Sequence, residues 1–146
     1  MATSSLRAPA ARDSAGVDAA LLILRIVLGV LVLLHGLSKL PPPPEFLITR
    51  FTQAGLPGFI AYGVYLGEIV GPILLIVGVW ARLGALMVIV NMVFAVLLAH
   101  TGDLFKLGAQ GGYALELQAM FLFAAIAIAL AGAGRFSVGG RYGPLN

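Results

Sequence analysis

The chain has 146 residues, of which 60% are hydrophobic and only 10% are charged. Soluble domains carry about 25% charged residues, so this composition excludes that class and predicts an integral membrane protein in a lipid bilayer. The net charge is +3, but the nine Lys and Arg residues are scattered at the ends of apolar segments, which excludes a nucleic-acid-binding surface. The absence of cysteine excludes a disulfide, a thiol relay and a thiolate metal site.

Residues 1–17 predict a disordered cytoplasmic tail, because they are rich in Ala and Ser. Four apolar segments follow, each long enough at about 1.5 Å per residue to cross roughly 30 Å of hydrocarbon. In lipid every backbone polar group must be satisfied within the protein, so the sequence predicts an all-α fold, an integral membrane four-helix bundle. The domain covers residues 18–134 and a second cytoplasmic tail covers 135–146; the four spans are about 17–40, 58–80, 83–100 and 113–132.

The connections and the basic residues predict the topology. The prolines at 41–44 favour an extended exit from the first span, and the very short turn between the second and third spans predicts a tight antiparallel hairpin. An excess of Lys and Arg marks the cytoplasmic side of a membrane protein. Both termini are predicted to be cytoplasmic, because five basic residues fall on their side and three on the other: Arg7, Arg12, Arg82, Arg135 and Arg141 against Lys39, Arg50 and Lys106.

Glu68 is the main candidate for a functional residue. It lies inside the second span, about 15 Å from its outer end, where a carboxylate is costly and needs a charged partner, a hydrogen bond or its proton. Glycines at 63, 67 and 71 recur at four-residue spacing on the same span. This ridge predicts close packing against a neighbouring helix.

The first span carries further polar residues on one face. Arg25, His35 and Lys39 share an arc of about 120° with two glycines, so this face is predicted to line the bundle interior. Glu68 and His35 are then expected to face a shared cavity in the outer half of the bundle, with Arg25 reaching toward Glu68 from below. No catalytic residue is assigned, no metal is predicted, and the candidate ligand-binding residues are Glu68, His35, Arg25, His100 and Glu116.

Several polar residues also have simpler interpretations. Lys39 is treated as an interfacial anchor, Asn91 as an interhelical hydrogen-bond donor, and Arg25 either as a snorkelling side chain or as one half of an internal ion pair. Asn91 and His100 are nine residues apart and so lie on opposite helix faces. They can meet at one site only if the helix bends or His100 lies beyond its last turn.

The order and spacing of six motifs, over residues 21–138, resemble the DoxX family of small four-helix membrane proteins. The family often has an acidic residue after the Ser of the last motif, where this chain has Val138 and Gly139, so a role for that acid cannot be transferred. The motifs are LRIVLGVLVLLHGLSKL (24–40), AGLP (54–57), GEIVGPILLIVGVWARLGAL (67–86), NMVFAVLLAH (91–100), GGYALE (111–116) and GAGRFSV (132–138).

This resemblance implies a bacterial inner-membrane protein, related to members linked to quinone-dependent oxidation of sulfur compounds or to oxidative-stress complexes. The first hypothesis is a membrane subunit of a quinone-linked oxidoreductase assembly, with quinone supplied by the membrane and a soluble or membrane redox partner protein. The alternative is a non-enzymatic scaffold or small-molecule carrier. A third hypothesis, haem or metal binding through His35 and His100, is disfavoured by the opposed phase on the third span. Whether the chain is itself an enzyme stays open.

Overall fold

The computed structural model describes residues 11–40 and 45–146, which form an all-α membrane bundle as predicted. Three segments within these ranges are long and apolar enough to cross a membrane, at Ala15–Leu37, Gly58–Val77 and Ala81–Ala99. A fourth apolar helix at Glu116–Ala131 is shorter. The helices are α1 (Ala11–Leu37), α2 (Glu45–Gln53), α3 (Gly71–Val77), α4 (Ala81–Ala99) and α5 (Glu116–Ala131).

The spans alternate in direction, and this defines two ends of the bundle. The loop end holds the end of α1, the end of α4 and the connection at residues 100–115. The terminal end holds the start of α1, the turn between α3 and α4, and residues 132–146. The central helix α4 packs against both α3 and α5, while α1 crosses the second span.

The second span is not a uniform α-helix. It begins as a 3₁₀ helix at Gly58–Gly63, passes through a π-helical turn at Leu66–Val70, and continues as α3. Pro72 accounts for the π-helical turn, because a proline has no N–H and its ring clashes with the carbonyl four residues earlier, which is that of Glu68. The backbone avoids this clash by forming a wider turn, in which the Gly71 N–H donates to the Leu66 carbonyl.

The glycine ridge on the second span packs only in part. A side chain at Gly67 would collide with Asn91, and one at Gly71 would meet the Gly84 backbone, so both glycines permit close approach of α4 as predicted. The prediction is wrong for Gly63, where a Cβ would meet nothing within 4 Å. On α1, Gly36 lies directly against the Glu68 backbone.

Helix boundaries differ from the predicted ones at both termini. α1 begins at Ala11, inside the stretch expected to be a disordered tail, where Ala11, Arg12 and Ala15 have high helix propensity and extend the long apolar helix that follows. The proline exit at residues 41–44 lies outside the described residues. Residues 45–53 form a helix of their own, and α5 begins at Glu116 rather than at Tyr113, because Tyr113 pairs with Leu107 in an isolated antiparallel bridge and residues 114–115 form a turn.

Residues 132–146, which include the predicted cytoplasmic tail at 135–146, fold back over the terminal end. The Arg141 guanidinium lies 2.6 Å from the buried Asp18 carboxylate, which holds the pKa of Arg141 above its usual range. The side-chain amide of Asn146 donates to the Gly78 carbonyl at 3.1 Å, and Arg82 donates to the Asn146 backbone oxygen at 3.0 Å. This segment therefore closes the terminal end by hydrogen bonds that a periodicity analysis cannot show.

Candidate functional site

Glu68 is the centre of a buried polar cluster at the loop end. It is only 4% exposed, and the π-helical turn carries its side chain into the bundle. Lys39 Nζ lies 2.5 Å from both carboxylate oxygens, and Asn91 Nδ2 donates to Oε1 at 3.0 Å. Lys39 is held in turn by Tyr65, whose hydroxyl donates to the Lys39 carbonyl at 2.9 Å.

This cluster stabilises the charged Glu68 carboxylate, which would otherwise be costly in the hydrocarbon region. Removing an ion from water costs several kcal/mol, and only a close counter-ion with additional hydrogen bonds offsets that cost. Lys39 supplies the counter-ion and Asn91 the additional hydrogen bond. The close approach of α1 at Gly36 brings the end of α1, and with it Lys39, over Glu68.

Two cavities flank the ion pair. The first, here called the histidine cavity, has a volume of about 180 Å³ and includes His35, Lys39, Glu68, His100, Gln118 and Phe121 in its lining. The second, here called the α2 cavity, has a volume of about 230 Å³ and includes Lys39, Phe46, Arg50, Glu68, Asn91 and His100. Lys39, Glu68 and His100 line both, so the ion pair lies between a histidine-bearing space and a space under α2.

The two histidines take different positions around these cavities. His35 is exposed and its ring packs edge-on against Phe121, with centroids 5.8 Å apart. His100 follows the last residue of α4, with φ of −130°, and so escapes the phase of that helix. For this reason Asn91 and His100 can both line the α2 cavity, because His100 lies beyond the last turn of the helix, which is one of the two possibilities that the sequence allowed.

Outside the span, Asp103 lies beside His100 and Lys106. Its carboxylate oxygens are 3.3 Å from Lys106 Nζ and 3.5 Å from His100 Nδ1. These two contacts, that of Lys106 first, hold the pKa of Asp103 below its usual value. His100 thus has an acidic neighbour at the rim of both cavities.

Arg25 does not reach toward Glu68, contrary to expectation. It is 1% exposed at the terminal half of α1 and donates to the carbonyls of Leu75 at 2.8 Å and Phe136 at 2.6 Å. Leu75 is within the last four residues of α3, whose carbonyls have no partner inside the helix and attract a cation. Arg25 therefore caps α3 and fastens the C-terminal segment.

Glu116 also lies apart from the cluster. It stands in the first turn of α5, where a negative charge is favourable, and lines a shallow pocket with residues of the 108–114 loop. The structure thus brings together three of the five predicted candidates, Glu68, His35 and His100, and leaves Arg25 and Glu116 elsewhere. Their ligand-binding roles stay predictions.

Sequence reasoning gave Lys39 too little weight as a site residue, whereas Asn91 is the interhelical hydrogen-bond donor that it was predicted to be. Lys39 shares the helical phase of His35 on the predicted first span, and that shared phase indicated that it belongs to the interior. Asn91 lies opposite Gly67, the residue preceding Glu68, so the glycine ridge carried the second signal. Among the described residues, no group of three or more His, Asp or Glu side chains is placed to hold a metal ion.

Comparison with known proteins decides the family. Residues 20–101 match the DoxX family model. The chain belongs to the DoxX family. Within the DoxX match lie Lys39, Glu68 and Asn91 together with both histidines, whereas Glu116 and the C-terminal segment fall outside it.

Two relatives are similar over most of their length. A Bacillus subtilis (strain 168) protein named "Putative oxidoreductase CatD" is 30% identical over 101 residues, which cover 69% of this DoxX chain and 75% of the relative. A Haemophilus influenzae (strain ATCC 51907 / DSM 11121 / KW20 / Rd) protein named "Uncharacterized protein" is 36% identical over 107 residues, covering 70% and 78%. No solved structure gives a significant match.

Proposed function

We propose that this protein is a membrane subunit of a quinone-linked oxidoreductase assembly, in which a quinone ring binds in the α2 cavity against Glu68. The observation that supports this most is the buried Lys39–Glu68–Asn91 cluster between two cavities. A quinone needs an apolar slot, a hydrogen-bond donor for its carbonyl and a group that exchanges protons. The α2 cavity provides Phe46 and Phe51 as apolar lining, with Asn91 and Lys39 as donors.

The chemistry assigns a separate role to each part of the cluster. Oxidation of a quinol to a quinone releases two protons and two electrons. The Glu68 carboxylate accepts the two ring-hydroxyl protons one after the other, releasing the first before the second arrives, and Lys39 holds that carboxylate in place by charge. His35 and His100, which both line the histidine cavity, offer a route for protons out of the bundle. The electrons pass to a redox partner protein, since this chain has no thiol and no dinucleotide-binding motif.

The same proposal includes the location and orientation. The protein lies in a bacterial inner membrane with both termini in the cytoplasm, supported by the five-to-three distribution of basic residues. The loop end is then the periplasmic end, and the cluster lies in the outer half of the bilayer. The name of the Bacillus relative, "Putative oxidoreductase CatD", supports a redox role without defining a substrate.

The test is quinone binding by protein in lipid nanodiscs. Glu68→Gln keeps the shape of the side chain but removes its charge, and we expect at least about a tenfold loss of quinone affinity, since hydrogen bonds to charged groups are worth about 1.5–3 kcal/mol. Glu116→Gln is the matched control, because it makes the same change in an exposed residue outside the α2 and histidine cavities. Equal losses in both variants, or none in either, would contradict the proposal.

One observation favours the alternative of a non-enzymatic scaffold or small-molecule carrier. Glu68 has a complete set of partners within the protein and does not require a ligand to be stable. In that case, a Lys39→Met/Glu68→Leu double variant would retain the protein's biological role, because the pair would serve only packing. The quinone-linked subunit would lose its role in the same variant.

A further inference from the structure

A third cavity extends the α2 cavity along the lipid-facing side of the bundle. This apolar groove has a volume of about 400 Å³ and includes Gly63, Leu66, Leu83, Leu86, Met87 and Val90 in its lining. It runs between the second span and α4. On α4 it extends from Phe94 to Leu83, which is about 16 Å at 1.5 Å per residue.

The groove and the α2 cavity form one cleft. Phe51, Val64, Asn91 and Phe94 line both of them. The rings of Phe51 and Phe94 stack at this junction, with centroids 6.0 Å apart and planes 21° apart. The cleft therefore has a polar end at Glu68 and an apolar end near the start of α4.

Gly63 keeps this groove open. Unlike Gly67 and Gly71, it packs against no helix, and a Cβ at this position would meet nothing within 4 Å. Its backbone does not have positive φ, so the conformation does not require glycine. What the missing side chain provides is empty space beside Leu66 and Val90, inside the groove.

We propose that the apolar groove holds the isoprenoid tail of the quinone whose ring binds against Glu68, so that the protein selects long-tailed quinones. This inference rests on the proposed function. A phospholipid would place its phosphate beside the buried Glu68 carboxylate, which repels it and already pairs with Lys39, so that of the Lys and Arg residues lining the α2 cavity only Arg50 is left to bind it. A quinone ring is neutral and meets no such repulsion.

Tail selection of this kind comes from shape. Lipid chains are as apolar as the groove, so moving a tail from bilayer to groove gains little by the hydrophobic effect. The gain comes from close contacts with a preformed surface and from fixing the ring's orientation. A side chain that fills the groove should therefore penalise a long tail and leave a short one unaffected.

Gly63→Leu tests the inference by filling the groove. We expect the wild-type protein in nanodiscs to bind a full-length isoprenoid quinone more tightly than an analogue with a single isoprene unit. Gly63→Leu should weaken binding of the long-tailed quinone about tenfold, the usual scale of overpacking, and leave the short analogue unchanged. Leu86→Trp, which fills the groove from α4, should do the same if Gly63→Leu does not fold.

Val70→Phe is the control, because Val70 is exposed on the same span and lies outside the three cavities. It should change neither affinity. If both quinones bind wild type through Glu68 with equal affinity and no groove-filling variant separates them, the tail inference is overturned while the proposed function stands. If neither quinone binds wild type, both are overturned. Phospholipid retained in the groove beside a bound quinone would also overturn the tail inference.

Discussion

Lys39→Met is the sharpest test of the buried ion pair. It removes the cation but keeps an apolar stem of similar length, and it leaves a carboxylate that is 4% exposed with only Asn91 as a partner. Breaking one side of a buried pair costs about 3–5 kcal/mol. The Lys39 side chain is 23% exposed, against 5% for Glu68, so solvent already screens part of the interaction and we expect about 3 kcal/mol.

The assay is reversible unfolding in mixed micelles, with two comparisons. Lys106→Met breaks the ion pair with Asp103, in which the Lys106 side chain is 64% exposed and the Asp103 side chain 39%, and should cost far less stability than Lys39→Met because solvent screens the pair. The double variant Lys39→Met/Glu68→Leu should recover most of the lost stability, because no uncompensated charge remains. The reasoning is refuted if Lys39→Met costs no more than Lys106→Met, or if the double variant is less stable than Lys39→Met alone.

Three further predictions concern packing, the buried arginine and topology. Gly36→Leu should lower the unfolding free energy by about 1–3 kcal/mol, because the new side chain collides with the Glu68 backbone, whereas Gly63→Ala should be neutral. Equal melting temperatures for these two variants would disprove the close crossing of α1 and the second span at Gly36. Arg25→Met should release the C-terminal segment, seen as faster proteolysis after Phe136, and unchanged digestion would contradict its capping role. Cysteines at the fully exposed Phe105 and at Tyr142, the only ones in each variant, should react from the periplasm and the cytoplasm, respectively; the reverse pattern would invert the topology.

The spans were predictable because their signal is local. Long apolar runs and a short turn define each helix without knowledge of its neighbours. The π-helical turn could also have been predicted, since Pro72 stands four residues after Glu68 and so blocks the carbonyl there. The start of α5 and the folded segment at 132–146 were less accessible, because glycine-rich chain without periodicity gives no indication of what it packs against.

The partners within the site depended on helix crossings that a single sequence does not contain. Lys39 at a helix end is by default an interfacial anchor, and only the contact of Gly36 with the second span turns it toward Glu68. Arg25 was expected either to snorkel or to form an internal ion pair, but its guanidinium instead donates to the Leu75 carbonyl at the end of α3 and to the Phe136 carbonyl. Gly63 has the spacing of the packing ridge, yet the space left by its missing side chain opens into the apolar groove.

The most direct test of the central claim is to identify what co-purifies with the protein under gentle extraction. Mass spectrometry of wild-type, Glu68→Gln and Glu116→Gln protein, purified in parallel from the same membranes, measures bound quinone relative to bound phospholipid. The proposed function predicts quinone enriched with wild type and Glu116→Gln and depleted with Glu68→Gln. The same quinone-to-phospholipid ratio in all three preparations, equal to that of the source membrane, would contradict it.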